Sequence, residues 1–458
     1  MNIIVVLTAM LMVSCSDFED SKNTQNDVFS PNLEYSDLML NSCNSVTSSH
    51  ALTKLESIAL VVQSKGTYKI SESEAIGKLE AYVASNAEVM RDILVKSTVL
   101  KKNSKTGKDM YYEVVFENAK GTGFSLVSAD ERVPEVLCFI EKGSIVDTVY
   151  NRNLKFCLEL VDIYVEENTK EELDIELLSF SAKEKLQNTV FKKNNDIPVN
   201  DVETNETQNV RGEIPMFSPD YWTYEYTWVN VTYPEVLKYV PCKWFQDAPY
   251  NDLLPFINGN TSQRAYVGCG MVAVAHIMAY HKKTYLGYIN TSTWNTMINA
   301  YPSVHTYTKS LMKDLFDNMK DSFDIHGTYT TNPKILQFLN SNSYNAGSFV
   351  YFNRHSILNA LSWGPTIITG YTIDDKGHAW VIDAYSGTLT EYFDHYSYLY
   401  KGKLYEHDEL AGELESSMVR FNWGLFYGVF DGWFYSGVFE FPGGNNYNID
   451  VNIISSIK

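Results

Sequence analysis

The sequence predicts an α+β protein built in two unlike halves, and three observations lead there. Gly268–His281 reads Gly-Cys-Gly-Met-Val-Ala-Val-Ala-His-Ile-Met-Ala-Tyr-His. It is apolar on almost every side for about three turns, which predicts a buried helix. Tyr111–Phe116 and His378–Tyr385 alternate in the way half-buried strands do. All eight Trp lie at or after Trp222, so a half without tryptophan precedes one rich in it.

The 458 residues suffice for two or three domains and a large core. A net charge of −19 offers no basic face to phosphates and argues against a nucleic-acid binder. Lys+Arg and Asp+Glu number 21 and 33 up to residue 210, and 16 and 23 after it. The halves therefore carry 21 − 33 = −12 and 16 − 23 = −7, and charge does not pull them together. The six cysteines (15, 43, 138, 157, 242, 269) form no CxxC pair and no metal-ligand spacing. No zinc site, other metal or cofactor is expected, nor a dense disulfide framework. A Cys242–Cys269 disulfide stays open at this point.

Taken in order, Met1–Cys15 is an export signal whose apolar run, Ile3–Val13, is too short to span a bilayer. Its end, Leu11-Met12-Val13-Ser14-Cys15, resembles a bacterial lipobox, although no Lys or Arg precedes the apolar run. That resemblance implies cleavage before Cys15, a lipid on its sulfur, and a place in the cell envelope or outside the cell. Residues 16–49 are polar and read as a tether. Residues 50–192 make a small α+β domain. A helix is expected over Ser73–Val95, a hairpin of Tyr111–Phe116 with Phe124–Val127, and a second helix over about Leu154–Asp174. Residues 193–213 are an Asn/Asp/Thr-rich linker of the kind proteases cut, and 214–458 form the Trp-rich domain. There Leu358–Trp363 ends a helix at Gly364-Pro365, Thr366–Gly370 is β-rich, and Ser417–Phe441 predicts short strands and turns.

Cys269 opens the buried helix, where unpaired N–H groups favour an anion. Such a setting, beside an imidazole, lowers a thiol pKa from about 8.5 into roughly 3.5–7.5. The bland alternative is a structural cysteine. A thiolate nucleophile needs a base and oxyanion donors. Of nine histidines, His276 and His281 lie along the same helix away from its start, and His50, His305, His326, His355, His395 and His407 lack a supporting pattern. His378 stands at a loop-to-strand junction, Asp374-Asp375-Lys376-Gly377-His378-Ala379-Trp380, sharing a face with Trp380 and Ile382. Downstream, Asn422 beside Trp423 supplies an amide that orients an imidazole and an indole that shields the bond. Upstream, Gln246 offers a second oxyanion donor beside the Cys269 N–H.

The order Gln246, Cys269, His378, Asn422 resembles the streptopain family of papain-like cysteine peptidases, over residues 215–440. The resemblance rests on Trp244-x-Gln246-x-x-Pro249-Tyr250-Asn251, Gly268-Cys269 with its Ala-containing helix, Gly364-Pro365-x-Ile367-Ile368, Gly377-His378-Ala379-x-Val381-Ile382-Asp383, and Asn422-Trp423-Gly424. Gly123–Asp130 with Pro134-Glu135-Val136-Leu137 and Gly143 likewise resembles that family's prodomain. The resemblance implies a papain-like fold of a helical part and an antiparallel β part behind an inhibitory α+β prodomain. It also implies protein or peptide substrates, Cys269 as nucleophile, His378 as base and acid, Gln246 as oxyanion donor, and Asn422 and Trp423 orienting and covering the histidine. Two departures stand out. Gly270 and Met271 follow the cysteine where the papain subfamily has a nearby tryptophan, and Leu425–Phe430 replaces the usual Trp and glycine-rich loop. The favoured reading is a secreted or membrane-tethered cysteine endopeptidase made as a zymogen. Its rivals are a binding or inhibitory protein of the same fold without turnover, and another thiol acyl-transfer enzyme.

Overall fold

A strand of the N-terminal half, Val136–Ile140, pairs antiparallel with a strand of the C-terminal half, Gly432–Tyr435. One sheet therefore runs through both. The computed structural model describes residues 54–85, 93–145, 152–170, 172–183, 223–232, 235–257, 262–371, 377–400, 403–425, 430–439 and 451–458, all within the compact unit Asn41–Lys458. The export signal, the tether and the 193–213 linker lie outside the described residues.

The N-terminal half contributes α1 (Lys54–Lys65), α2 (Glu72–Ser85), β1 (Leu94–Lys102), β2 (Asp109–Asn118), β3 (Gly121–Ser128), β4 (Val136–Ile140) and α3 (Arg152–Asn168). β2 and β3 close a hairpin at Asn118↔Gly121, where the sequence expects one. The helix expected to reach Val95 ends differently: α2 stops at Ser85, and Leu94 already faces Glu117 in β1. Val95, Thr98 and Val99 are β-branched and stiff in a helix, and pairing along β2 outweighs the local helical period. The second expected helix ends at Asn168. Asp174 instead starts the next one, over 175–183, its carboxylate accepting the Leu177 N–H at 3.0 Å.

The C-terminal half adds β5 (Thr223–Thr232), β6 (Glu235–Leu237), α4 (Cys269–His281), α5 (Thr291–Asn299), α6 (Thr306–Met319), β7 (Ser322–Phe323), β8 (Thr328–Tyr329), α7 (Asn332–Ser341), β9 (Phe349–Tyr351) and α8 (Arg354–Trp363). Then follow β10 (Thr366–Tyr371), β11 (Gly377–Tyr400), β12 (Lys403–Asn422), β13 (Gly432–Tyr435) and β14 (Asn452–Ile454). Among the described residues the main sheet runs β1-β2-β3-β4-β13-β12-β11-β10-β14-β9, with β5 and β6 also on β11. Ser417–Asn422 is the last stretch of a 20-residue strand rather than one of several short ones. Its ladder with β11 continues from Tyr400↔Lys403 to Val381↔Asn422.

Alternating residues feed two cores. Ile368, Trp380, Ile382 and Ile453 join one, while Ile367, Ala379, Val381 and Ile454 join the other. The second core holds α4 with α6 and α7, so α4 is enclosed and can be apolar all round. The first core continues from Phe421, Trp423 and Phe434 into Phe116, Phe124, Leu126 and Phe139 of the N-terminal half. Helices and antiparallel strands thus make an α+β fold, with the two halves sharing backbone ladder and core.

Candidate active site

Cys269 is the first residue of α4, and its entry requires the glycine before it. Gly268 has φ 102°, and a Cβ there would stand 3.1 Å from the Thr328 carbonyl oxygen and 2.9 Å from the Met271 sulfur. Cys269 is half-buried, and both it and Cys242 are free thiols, which closes the disulfide alternative. Burial pushes the Cys269 thiol above its ordinary value, against the pull of the Ala379, Gly270 and Cys269 N–H groups. The helix start alone leads one to expect a lowered pKa. In this structure desolvation outweighs the three donors, and the sulfur is a neutral thiol near pH 7.

The Ala379 N–H that acts on the sulfur belongs to the residue after His378. His378 is half-buried on β11, paired with Gly370 of β10. By strand alternation it shares a face with Trp380 and Ile382. The structure thereby brings the start of β11 to the start of α4.

Gln246 is half-buried, and its backbone carbonyl oxygen accepts the Val267 N–H at 3.0 Å, two residues before Cys269. Its neighbours are pinned as well. The Asn251 amide donates to the Ala265 carbonyl at 3.0 Å, and Phe245 meets Tyr250 edge-on at 4.7 Å. His276 Nε2 lies 3.1 Å from the Trp244 carbonyl oxygen. Sequence reasoning sets this histidine aside as remote from the nucleophile. It is fully buried and ties α4 to the segment carrying Gln246.

Asn422 ends β12 opposite Val381, buried, with its side-chain oxygen accepting the Gly424 N–H at 3.0 Å. Trp423 is buried 5.2 Å from the Trp380 ring. Its indole N–H donates to the Phe430 carbonyl at 2.8 Å, and its backbone N–H to Asp431 Oδ1 at 3.0 Å. Gly424 lies against the helix, since a Cβ there would sit 2.6 Å from Val272 Cγ1. The Asn-Trp-Gly segment therefore spans from sheet to nucleophile helix.

Beneath these residues lies an ion cluster that sequence reasoning misses. Arg420 Nη1 contacts both Asp383 oxygens at 2.7 Å, and its Nη2 stands 4.0 Å from Asp431. Asp383 Oδ2 also accepts the Val240 N–H at 3.1 Å. Burial pushes Asp431 up to about 6, against the Arg420 charge. One guanidinium thus joins the strands of His378 and Asn422 to the start of β13. Asp383 stands in the motif that carries His378, but no spacing rule shows that it and Asp431 both meet Arg420.

A neutral thiol at a helix N-terminus, with donors converging on it and a histidine on the adjoining strand, is an arrangement suited to thiol acyl transfer once the sulfur ionises. None of the curated proteins matches the chain. Residues 244–335 match the Peptidase C10 family, a stretch that contains Gln246 and Cys269 and stops short of His378. Residues 67–165 match the Spi protease inhibitor family, covering β1 to β4 and most of α3. Inhibitor-like segment first and peptidase segment second, the chain is thus similar to Spi protease inhibitors over 67–165 and to C10 cysteine peptidases over 244–335.

Proposed function

We propose that the chain is the zymogen of an exported cysteine endopeptidase of papain-like fold, tethered to a bacterial envelope through a lipidated Cys15. The observation that carries the catalytic part is the Ala379 N–H acting on the Cys269 thiol, which brings the residue after His378 to the candidate nucleophile. In the active form His378 takes the thiol proton and the ion pair forms. The thiolate adds to the scissile carbonyl, and the Cys269 N–H and the Gln246 amide hold the oxyanion. His378 then protonates the departing amine, leaving a thioester on Cys269. Water, deprotonated by His378, cleaves that thioester. Asn422 orients the imidazole and Trp423 keeps water from the bond between them.

The zymogen part of the proposal rests on the interface. β4 and the shared core join residues 67–165 to the side of the sheet bearing Trp380 and Trp423. Cutting the 193–213 linker would begin their release. A second reading, a peptidase-fold binding protein without turnover, draws on Leu425–Phe430, which departs from the family's glycine-rich loop. Casein hydrolysis under reducing conditions separates the two. The linker-cut protein is expected to degrade casein and its Cys269→Ala variant is not; equal, background rates would leave the binding protein as the answer.

A further inference from the structure

Phe430 has φ 73°, a conformation that a bulky side chain rarely adopts. Such outliers persist only where their surroundings over-determine them. Here both sides of the residue are held. Its carbonyl accepts the Trp423 indole N–H at 2.8 Å, while its own N–H donates to the Lys142 carbonyl of the N-terminal region at 2.9 Å. The Phe430 ring is buried over Gly143, so close that a Cβ on that glycine would lie 2.5 Å from ring Cδ1. Gly143 itself has φ 140°, so both its conformation and its contact exclude a side chain.

The turn that grips Phe430 is anchored in its own half. The Gly143 N–H donates to the Thr122 carbonyl at 2.9 Å, and the Asn118 amide to the Glu141 carbonyl at 2.9 Å. Lys120 and Glu141 form an ion pair beside it. On the other side, Asp431 and the β13 pairing of Gly432 with Ile140 follow directly. A strained residue thus sits where the inhibitor-like region meets the aromatic that packs on Trp380, two residues from His378.

We propose that Phe430 is a positioning residue for Trp423, and that the Lys142–Gly143 turn imposes its left-handed conformation while the N-terminal region is docked. Phe430 then acts as a latch: the docked turn sets the Trp423 wall of the site in its silent arrangement. When that region leaves, Phe430 loses its backbone acceptor and ring seat together. It relaxes to negative φ, carrying its carbonyl away from the indole. The inference rests on the peptidase reading for its effect on activity, but the contact itself can be tested without catalysis.

The experiment uses the full chain with a specific protease site placed in the 193–213 linker, before and after cutting and removal of the N-terminal region. Gly143→Ala pushes a methyl into the Phe430 ring; Phe430→Ala removes the ring, and with it the seat on Gly143 that helps hold the left-handed conformation, and serves if the first variant does not fold. Casein hydrolysis by either uncut variant is expected to exceed that of the uncut wild type by roughly five- to a hundredfold, the range that releasing one strained conformation supports. Cut Gly143→Ala should match the cut wild type. Hydrogen exchange of the Phe430 amide gives a readout independent of turnover: protected in the uncut wild type, and about tenfold or more faster after cutting or in uncut Gly143→Ala. Folded variants whose uncut activity and Phe430 exchange both equal those of the wild type would overturn the latch. Exchange that changes as expected, with every form inactive on casein, would sink the peptidase reading and leave the contact standing.

Discussion

His276 Nε2 stands 3.1 Å from the carbonyl oxygen of Trp244, joining the helix that begins at Cys269 to the segment that carries Gln246. Both residues are buried, so water cannot replace the bond. Removing the donor strands a buried carbonyl, which costs about 1–3 kcal/mol. His276→Leu should destabilise by that amount, whereas His276→Gln keeps a donor and should lose less.

The same histidine predicts acid sensitivity. Burial lowers its pKa to about 4, below the ordinary 6.5, so the unfolded chain takes up the proton first as pH falls. Its contribution is intact above pH 6.5 and is lost between 6.5 and 4, up to about 3 kcal/mol. Urea midpoints at pH 7 and pH 4.5 should fall further for the wild type than for His276→Gln. Equal falls would place the acid sensitivity elsewhere.

Asp431 predicts the opposite sign. Burial raises its pKa from 3.8 to about 6, so the folded state holds the proton more tightly than the unfolded state does. The penalty is absent below pH 3.8 and complete above pH 6, at about 3 kcal/mol. Asp431→Asn keeps an acceptor for the Trp423 N–H and leaves Arg420 paired with Asp383. It should gain stability over the wild type at pH 8 and lose that gain at pH 4; a gain independent of pH would contradict the assignment.

The Cys269 thiol predicts a difference between uncut and matured protein. In the uncut chain burial holds it neutral, so iodoacetamide at pH 6 should label it slowly. After maturation an ion-paired thiolate should make it the one rapidly labelled cysteine of the 214–458 domain. Cys242 is buried with its pKa pushed up, and should stay unlabelled. Peptide mapping that finds both cysteines labelled alike would sink the assignment.

Gln246 predicts a kinetic signature. Loss of one oxyanion donor costs about 2.7–4 kcal/mol, roughly a hundred- to thousandfold in turnover. In the matured enzyme Gln246→Ala should lower kcat by that factor and leave KM nearly unchanged. Unaltered turnover removes Gln246 from the site.

Cys15 predicts location. If the Leu11–Cys15 stretch is a lipobox, the wild type should partition into detergent with the membrane fraction and Cys15→Ser should not. Equal partitioning of the two would refute lipidation.

What the sequence determined by itself was local in origin. An all-apolar run set the buried helix from Cys269 to His281, because its composition leaves no face for water. Alternation set the strand through His378, and Gly364-Pro365 ended the helix before it. The order of Gln246, Cys269, His378 and Asn422 was legible because each lies in a short motif of particular chemistry. The tertiary structure decided everything that needs partners far apart in the chain. Leu94 became a strand residue because β2 lies beside it, and Arg420 found both Asp383 and Asp431 only when three strands converged. The thiol of Cys269 rose rather than fell because desolvation depends on what packs over the sulfur, not on its place in a helix. Above all, the N-terminal half shares a sheet and a core with the other half through Val136–Ile140 and Gly432–Tyr435. A backbone ladder between strands nearly three hundred residues apart leaves no local pattern, because its hydrogen bonds come from groups that every residue carries.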